Sequence, residues 1–300
     1  MMESNNYFCR EMKKGFPVYD ICTLSEYQQH DILVDRFAHY LAKHHDLHFP
    51  HKHNFYHLVY FSKGSGTHHI DFKSFTVKPG QIYFMVPGQV HSWFFEGETD
   101  GYIINFSETL FNSFLLKQGY LDNLPFFSGD IDDAVVNLSG KNKSAVSHLF
   151  EEIINETQQP DRYSFDAVRI LMMRIFTVIA RTHINTANTP QVSYNHTLLT
   201  NFRRLIEQNF VQSKLPKDYA ALLYITPNHL NAICNDILGT PAGELIRQRV
   251  ILEAKRMLVN PKTTIGEIAG YLGFDDNSYF TRFFKKQAGV TPEEFRHTLK

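Results

Sequence analysis

Residues 265–274 read Ile-Gly-Glu-Ile-Ala-Gly-Tyr-Leu-Gly-Phe, and residues 278–286 read Ser-Tyr-Phe-Thr-Arg-Phe-Phe-Lys-Lys. Gly289-Val-Thr-Pro292 and Phe295-Arg296 follow close behind. The spacing predicts a short helix over Ile265–Leu272, with a small Ala269 where a second helix must cross closely. Gly273 then supplies backbone freedom for a tight turn. Asp275 or Asp276 caps the next helix, whose side chains Phe280, Phe283 and Phe284 pack inward. Its opposite side is free to enter a major groove.

The same pattern occurs upstream at an offset of 50 residues. Leu230 matches Phe280, Ile233 matches Phe283, Cys234 matches Phe284, Gly239 matches Gly289 and Leu245 matches Phe295. Before the turn the offset is 49: Ala220 matches Ala269, Leu223 matches Leu272 and Ile225 matches Phe274. The turn of the second copy is therefore one residue longer. In the first copy a short helix over Lys217–Tyr224 leads to Thr226, a capping residue, with Pro227 at the first helical position. Internal repetition at this period marks two copies of one supersecondary unit. Between them Pro241 to Leu258 reads as one helix, and its eighteen residues span about 27 Å. That is close to the ~34 Å between successive major-groove faces, so both units can read one side of a duplex.

Composition sets the frame. Length (300 residues) suits two domains, and 43% hydrophobic with 20% charged residues suits globular folding. No run of about 18 uncharged apolar residues is present to span a membrane. Met1–Arg10 lacks an apolar stretch of the secretory kind, and Cys9, Cys22 and Cys234 are too scattered for a disulfide framework, which suits a cytoplasmic protein. Residues 197–300 carry 14 Lys plus Arg against 10 Asp plus Glu, a net of +4. The rest carry 16 against 21, a net of −5. A basic half suits a polyanion, though +4 alone decides nothing.

The quoted C-terminal motif resembles the signature of AraC/XylS-type transcription regulators over residues 197–300. The resemblance implies sequence-specific binding of double-stranded DNA, a non-enzymatic role and no cofactor. It also implies homodimerisation and contact with RNA polymerase where the protein activates. By position, it assigns base contacts to Asn228, Asn231 and Ala232 in the first unit and to Ser278, Tyr279, Thr281 and Arg282 in the second. Arg282 is the strongest of these, because Arg bonds bidentately to guanine. The first unit departs from the pattern at Tyr224, usually a small residue, and at Asn231-Ala232, where a Ser-Arg pair is common. Lys285, Lys286 and the arginines of the linking helix read as phosphate contacts or solvated charges.

Residues 20–110 are different in kind. Short β-type runs, Tyr56–Phe61, His68–Phe72, Ser74–Val77, Gln81–Val86 and Ser92–Phe95, are broken by Lys63-Gly64-Ser65-Gly66, Pro79-Gly80 and Pro87-Gly88. Close strand spacing with Gly and Pro punctuation predicts an all-β sandwich or barrel. Helical periodicity follows: Val146, Leu149, Phe150 and Ile153, then Val168, Leu171, Met172, Ile175 and Ile179, with Pro160-Asp161 between. The second stripe suits either a dimer interface or packing on the chain's own barrel. The expected organisation is a cupin-like β-barrel with following α-helices over 1–184, a linker over 185–196, and an all-α domain with two helix-turn-helix units over 197–300.

Eleven of the 16 histidines lie between His30 and His91. His51-Lys-His53, His57, Gly64 and Pro87-Gly88-Gln89-Val90-His91 resemble the cupin motifs, with His57 in the glutamate position. Two readings stay open: a metal held by imidazoles, or a pocket for a small effector lined by His51, His53, His57, Tyr60, Tyr83, His91 and Trp93. AraC-type sensors keep this shape without a metal, and an aromatic, polar-studded wall suits a sugar or another metabolite. The rival function is a metal-dependent cupin enzyme with an accessory helical domain.

Overall fold

A computed structural model describes residues 17–24, 31–44, 47, 49–112, 115, 120–129, 131–183 and 194–298. The expected linker lies outside the described residues as far as 193, and helix begins again at Tyr194. The N-terminal residues up to 16 also lie outside.

Two long antiparallel strands organise the sheet-rich half: β4 (Tyr56–Ile70) and β7 (Val90–Phe106), paired from Tyr56 opposite Phe106 to Ile70 opposite His91. The other strands are β1 (Val18–Tyr19), β2 (Ile32–Arg36), β3 (His51–His53), β5 (Lys73–Val77), β6 (Gln81–Met85) and β8 (Val135–Asn137). Residues 56–61 of β4 and 101–106 of β7 lie with β2, β6 and β8. Residues 65–70 of β4 and 90–96 of β7 lie instead with β1, β3 and β5. The two long strands thus pass from one half-sheet into the other.

The passage corrects the sequence reading, which placed a turn at Lys63-Gly64-Ser65-Gly66. The register shifts there between Phe61 and Ser65, but β4 continues. Gly64 and Gly66 sit at φ +122° and +140°, and a Cβ on Gly66 would lie 2.2 Å from the Phe94 carbonyl oxygen. These glycines bend a strand whose partner presses on its backbone; they do not end it. Ser92–Phe95 likewise belongs to a strand that runs on to Phe106.

Alternation sorts the sheet residues onto two faces. Tyr56, Leu58, Tyr60, Ile82, Phe84, Tyr102, Ile104 and Phe106 meet α4 (Gly140–Gln158) and α5 (Ser164–His183). Val59, Phe61, Tyr83, Met85, Trp93 and Ile103 face inward, together with Phe37 and Tyr40 of α2 (Phe37–Lys43). The stripe Val168, Met172, Ile175 and Ile179 is at most 2% exposed inside the first cluster. Phe176 beside it lies 5.5–6.4 Å from the rings of Phe84, Phe106, Phe126 and Phe127. Of the two sequence readings, packing on the chain's own sheet holds, and this stripe is no dimer surface. Short helices α1 (Ile21–Leu24) and α3 (Thr109–Asn112) complete the half.

The C-terminal half is helical: α6 (Tyr194–Asn209), α7 (Pro216–Leu222), α8 (Pro227–Leu238), α9 (Ala242–Leu258), α10 (Ile265–Tyr271), α11 (Asn277–Ala288) and α12 (Pro292–Thr298). Pairs α7–α8 and α10–α11 are the two repeated units, and α9 packs against both. Ala220 and Ala269 are fully buried where the helices of each pair cross. Residues 223–226 connect the first pair and 272–276 the second, the extra residue being the one counted from the repeat. Thr226 caps α8 and Asp276, rather than Asp275, caps α11.

Gly66→Ala is expected to destabilise the protein by ~1–3 kcal/mol, through positive φ and the Phe94 carbonyl clash. Gly97→Ala meets nothing within 4 Å and carries only the backbone cost. Chemical denaturation of the two variants checks the order, which reverses if residues 63–66 are an open turn.

Candidate DNA interface and ligand-binding interior

In α11, the Asp276 carboxylate accepts the Tyr279 N–H at 2.5 Å, fixing where the helix starts. Ser278, Tyr279 and Arg282 are exposed and Thr281 half-buried, its hydroxyl donating to the Asn277 carbonyl at 2.9 Å. Among the described residues Arg282 has no ion-pair partner, so its guanidinium is available to an outside acceptor. In α8 Asn228 and Ala232 are exposed. Asn231 is half-buried, and its side-chain oxygen accepts the Ala242 N–H at 2.9 Å. That bond caps α9, so Asn231 braces the linking helix. Tyr224, at the turn, is 96% exposed with φ +55°, the conformation Gly273 adopts at +69° in the second unit.

The linking helix corrects another expectation. Arg249 stacks 4.0 Å from the Phe210 ring and bonds Glu207 and Glu253. Arg256 is buried against Asp71, with Nε–Oδ1 at 2.7 Å and Nη2–Oδ2 at 2.8 Å. Neither is a solvated charge or a phosphate contact here, because tertiary partners have claimed both. Asp71 is the second residue of that buried pair and sits in the β4–β5 turn at φ +51°. Burial would raise the Glu253 carboxyl, yet Arg249 and Arg256 hold it below its ordinary range. Phe72 extends the contact, lying 5.7 Å from the Phe295 ring, with Lys255 near both.

Inside the sheet-rich half, His51, His53, His57, His68 and His91 are all at most 3% exposed. The His51 ring lies 4.7 Å from His53 and 4.2 Å from His91. His57 stacks on His53 at 5.0 Å, and its Nδ1 meets the Asn105 side-chain oxygen at 2.6 Å. Trp93 packs against His91 at 4.7 Å and Tyr83 against His68 at 4.7 Å. Burial drives His53, His68 and His91 well below the usual imidazole range, with neighbouring imidazoles adding to it. His57 falls to about 3 by burial, against the opposing bond to Asn105. At neutral pH these rings are therefore uncharged and carry lone pairs.

Six of the seven expected lining residues meet in this interior. Tyr60 does not: even-numbered on β4, it faces α4, where its hydroxyl bonds Ser147 at 2.9 Å and its ring stacks on Phe150. His68 and Asn105 belong to the interior and were missed. His68 was hidden by the supposed turn at 63–66; once β4 is continuous, its even number and the register shift bring it inside. Asn105 has only its alternation with Ile104 and Phe106 as a signal.

A polar, imidazole-lined interior joined to paired helix-turn-helix units defines a protein that binds a ligand in one half and DNA in the other. Known proteins agree: residues 34–176 match the AraC-like ligand binding domain and residues 219–298 a helix-turn-helix domain. With both domains in this order, the chain belongs to the AraC/XylS-type transcription regulators. The transcriptional activator RhaR of Enterobacter sp. (strain 638) is 19% identical over 82% of this chain and 86% of its own. RhaR of Yersinia pestis bv. Antiqua (strain Angola) is 20% identical over 82% and 83%. Among solved structures, ToxT from Vibrio cholerae O395 is 14% identical, covering 91% of this chain and 99% of that one at a TM-score of 0.41.

Arg282→Ala should lose ~1–3 kcal/mol of discrimination between operator and scrambled DNA, read by competition binding. Asn231→Ala should instead lower stability by ~1 kcal/mol and leave discrimination nearly unchanged, because its side chain is already bonded to Ala242. Equal effects of the two on discrimination would show that Asn231 reads bases.

Proposed function

We propose that occupancy of the sheet-rich interior changes which DNA sites this chain holds, and that the signal crosses between the halves at Asp71–Arg256. The buried bidentate pair is the observation that carries the reading. Its side chains are 1% and 6% exposed, and its partners stand 185 residues apart in the chain. Arg256 lies on α9, the helix packed against both helix-turn-helix units. Asp71 also accepts the Val90 N–H at 3.2 Å, one residue from His91 of the interior. A ligand shifts such an equilibrium only through different affinities for two arrangements. A pair of this kind is sensitive to small displacements, since a buried charge that loses its partner costs ~3–5 kcal/mol.

In this reading Arg282, Ser278, Tyr279 and Thr281 read bases, with Asn228 and Ala232 contacting the neighbouring groove. His51, His53, His57, His68, Tyr83, His91 and Trp93 surround the effector. The protein acts in the cytoplasm as a homodimer, using a surface other than the Val168–Ile179 stripe. The name activator given to its relatives supports contact with RNA polymerase.

Genomic fragments selected by the full chain and then footprinted should show two protected major-groove faces about one helical turn apart. Absence of any preferred fragment overturns the regulator reading. For the contact between halves, a double-mutant cycle on Asp71→Leu and Arg256→Met should give a stability coupling of ~1–3 kcal/mol. Single effects that simply add would mean the two halves do not hold each other through this pair.

A further inference from the structure

We propose that His51, His53 and His91 bind one divalent transition-metal ion of the zinc, nickel or cobalt class, and that this ion is the effector. Its role as effector rests on the regulator reading above; its binding does not. The three residues are buried, and each offers a ring nitrogen within 4.8 Å of the others. Nε2 of His51 lies 3.2 Å from Nε2 of His53. Two nitrogens bound at ~2.0–2.1 Å to one tetrahedral ion are separated by about 3.3–3.4 Å, so this edge is already near the spacing an ion needs. The ring of His51 is already oriented for ligation, since its Nδ1–H donates to the Phe49 carbonyl at 2.7 Å and leaves Nε2 as the lone-pair side.

The remaining nitrogens point to a ligand as well. Nε2 of His91 is buried without a hydrogen-bond partner among the described residues. So is Nε2 of His57, whose Nδ1–H donates to Asn105. Leaving a buried polar atom unpartnered costs ~1–3 kcal/mol, and several of them in one place is unusual for a core that serves packing alone. Nδ1 of His91 lies 3.3 Å from Nε2 of His68, an outer partner of the kind that orients a ligating imidazole. The three donors are all nitrogen, without a carboxylate among them, a set that suits zinc, nickel, copper or cobalt and not magnesium or calcium. Size argues the same way. With ring centroids 4.2–4.9 Å apart, an ion fits between His51, His53 and His91, whereas a sugar would have to push them aside.

The site is wired to the contact between halves by short backbone links. The His53 carbonyl accepts the Gly88 N–H at 2.8 Å, and a Cβ on Gly88 would lie 4.0 Å from Nη1 of Arg256. Asp71 donates its N–H to the Val90 carbonyl at 2.6 Å and accepts the Val90 N–H at 3.2 Å. Drawing His53 and His91 onto an ion therefore pulls on both neighbours of the Asp71–Arg256 pair.

The test uses the full chain, stripped with a chelator and titrated with zinc, cobalt or magnesium chloride. One zinc or cobalt per chain is expected, with cobalt giving visible d–d absorption and changing the emission of Trp93, the single tryptophan. Magnesium should give neither signal. His51→Ala and the size-conserving His91→Gln should each weaken binding by at least about tenfold. His148→Ala and His229→Ala, at exposed positions, should leave it unchanged. Near-UV circular dichroism confirms that His91→Gln remains folded. Stoichiometric binding that survives both cluster variants, or that is lost in His148→Ala, overturns the site, and so does absence of zinc binding in the folded wild-type chain. An ion that binds without altering operator occupancy overturns its role as effector while the regulator reading stands. A chain that binds the ion but selects no DNA overturns the regulator reading and leaves the ion site in place.

Discussion

Strand β7 lies against β4 from Phe106 opposite Tyr56 to His91 opposite Ile70, and the N-terminal half takes its shape from that pairing. Because both strands bend together near Gly64, Gly66 and Gly101, one continuous ladder serves two half-sheets. A Cβ on Gly101 would lie 1.8 Å from the Tyr60 carbonyl oxygen, so the strands approach there as only glycine permits. The bend brings the far end of β4, with His68, over the same interior as its near end, with His57. It also puts the β4–β5 turn, and Asp71 with it, at the edge that meets α9.

Polar groups in this interior find only some of their partners within the protein. Asn105 holds His57, the Phe49 carbonyl holds His51, and His68 meets His91. Nitrogens of His53, His57, His68 and His91 are left over. Burial keeps His53, His57, His68 and His91 neutral, which preserves their lone pairs. Apolar residues of similar volume would pack as well without the desolvation cost, so the imidazoles are better understood as chemistry than as filling.

The second half uses its charges sparingly. A net of +4 over residues 197–300 is small for a polyanion binder, and Arg249 and Arg256 are withdrawn from the surface by Phe210, Glu207, Glu253 and Asp71. On the proposed reading, affinity for DNA then depends on shape and on a few exposed groups such as Arg282, and less on bulk attraction. Arg249 and Arg256 spend their charge on holding α9 to α6 and to the sheet-rich half, so the helix between the two repeated units is also the one the other half grips.

The local code of the second half was legible along the chain. The 50-residue repeat, the capping residues Thr226 and Asp276, and the extra turn residue all depend on neighbours within a few positions, where helical periodicity and capping act. The alternation that places His51, His53 and His57 on one face was legible for the same reason. Tertiary structure alone decided the rest. It carried β4 through its glycines, because a bend and a turn share the same residues and only the partner strand distinguishes them. It put Tyr60 against α4 and His68 beside His91, and gave the Val168–Ile179 stripe to the chain's own sheet. It also joined Asp71 to Arg256 across 185 residues. A charge pair at that separation has no periodicity to betray it; it exists only because two surfaces far apart in the sequence bury it between them.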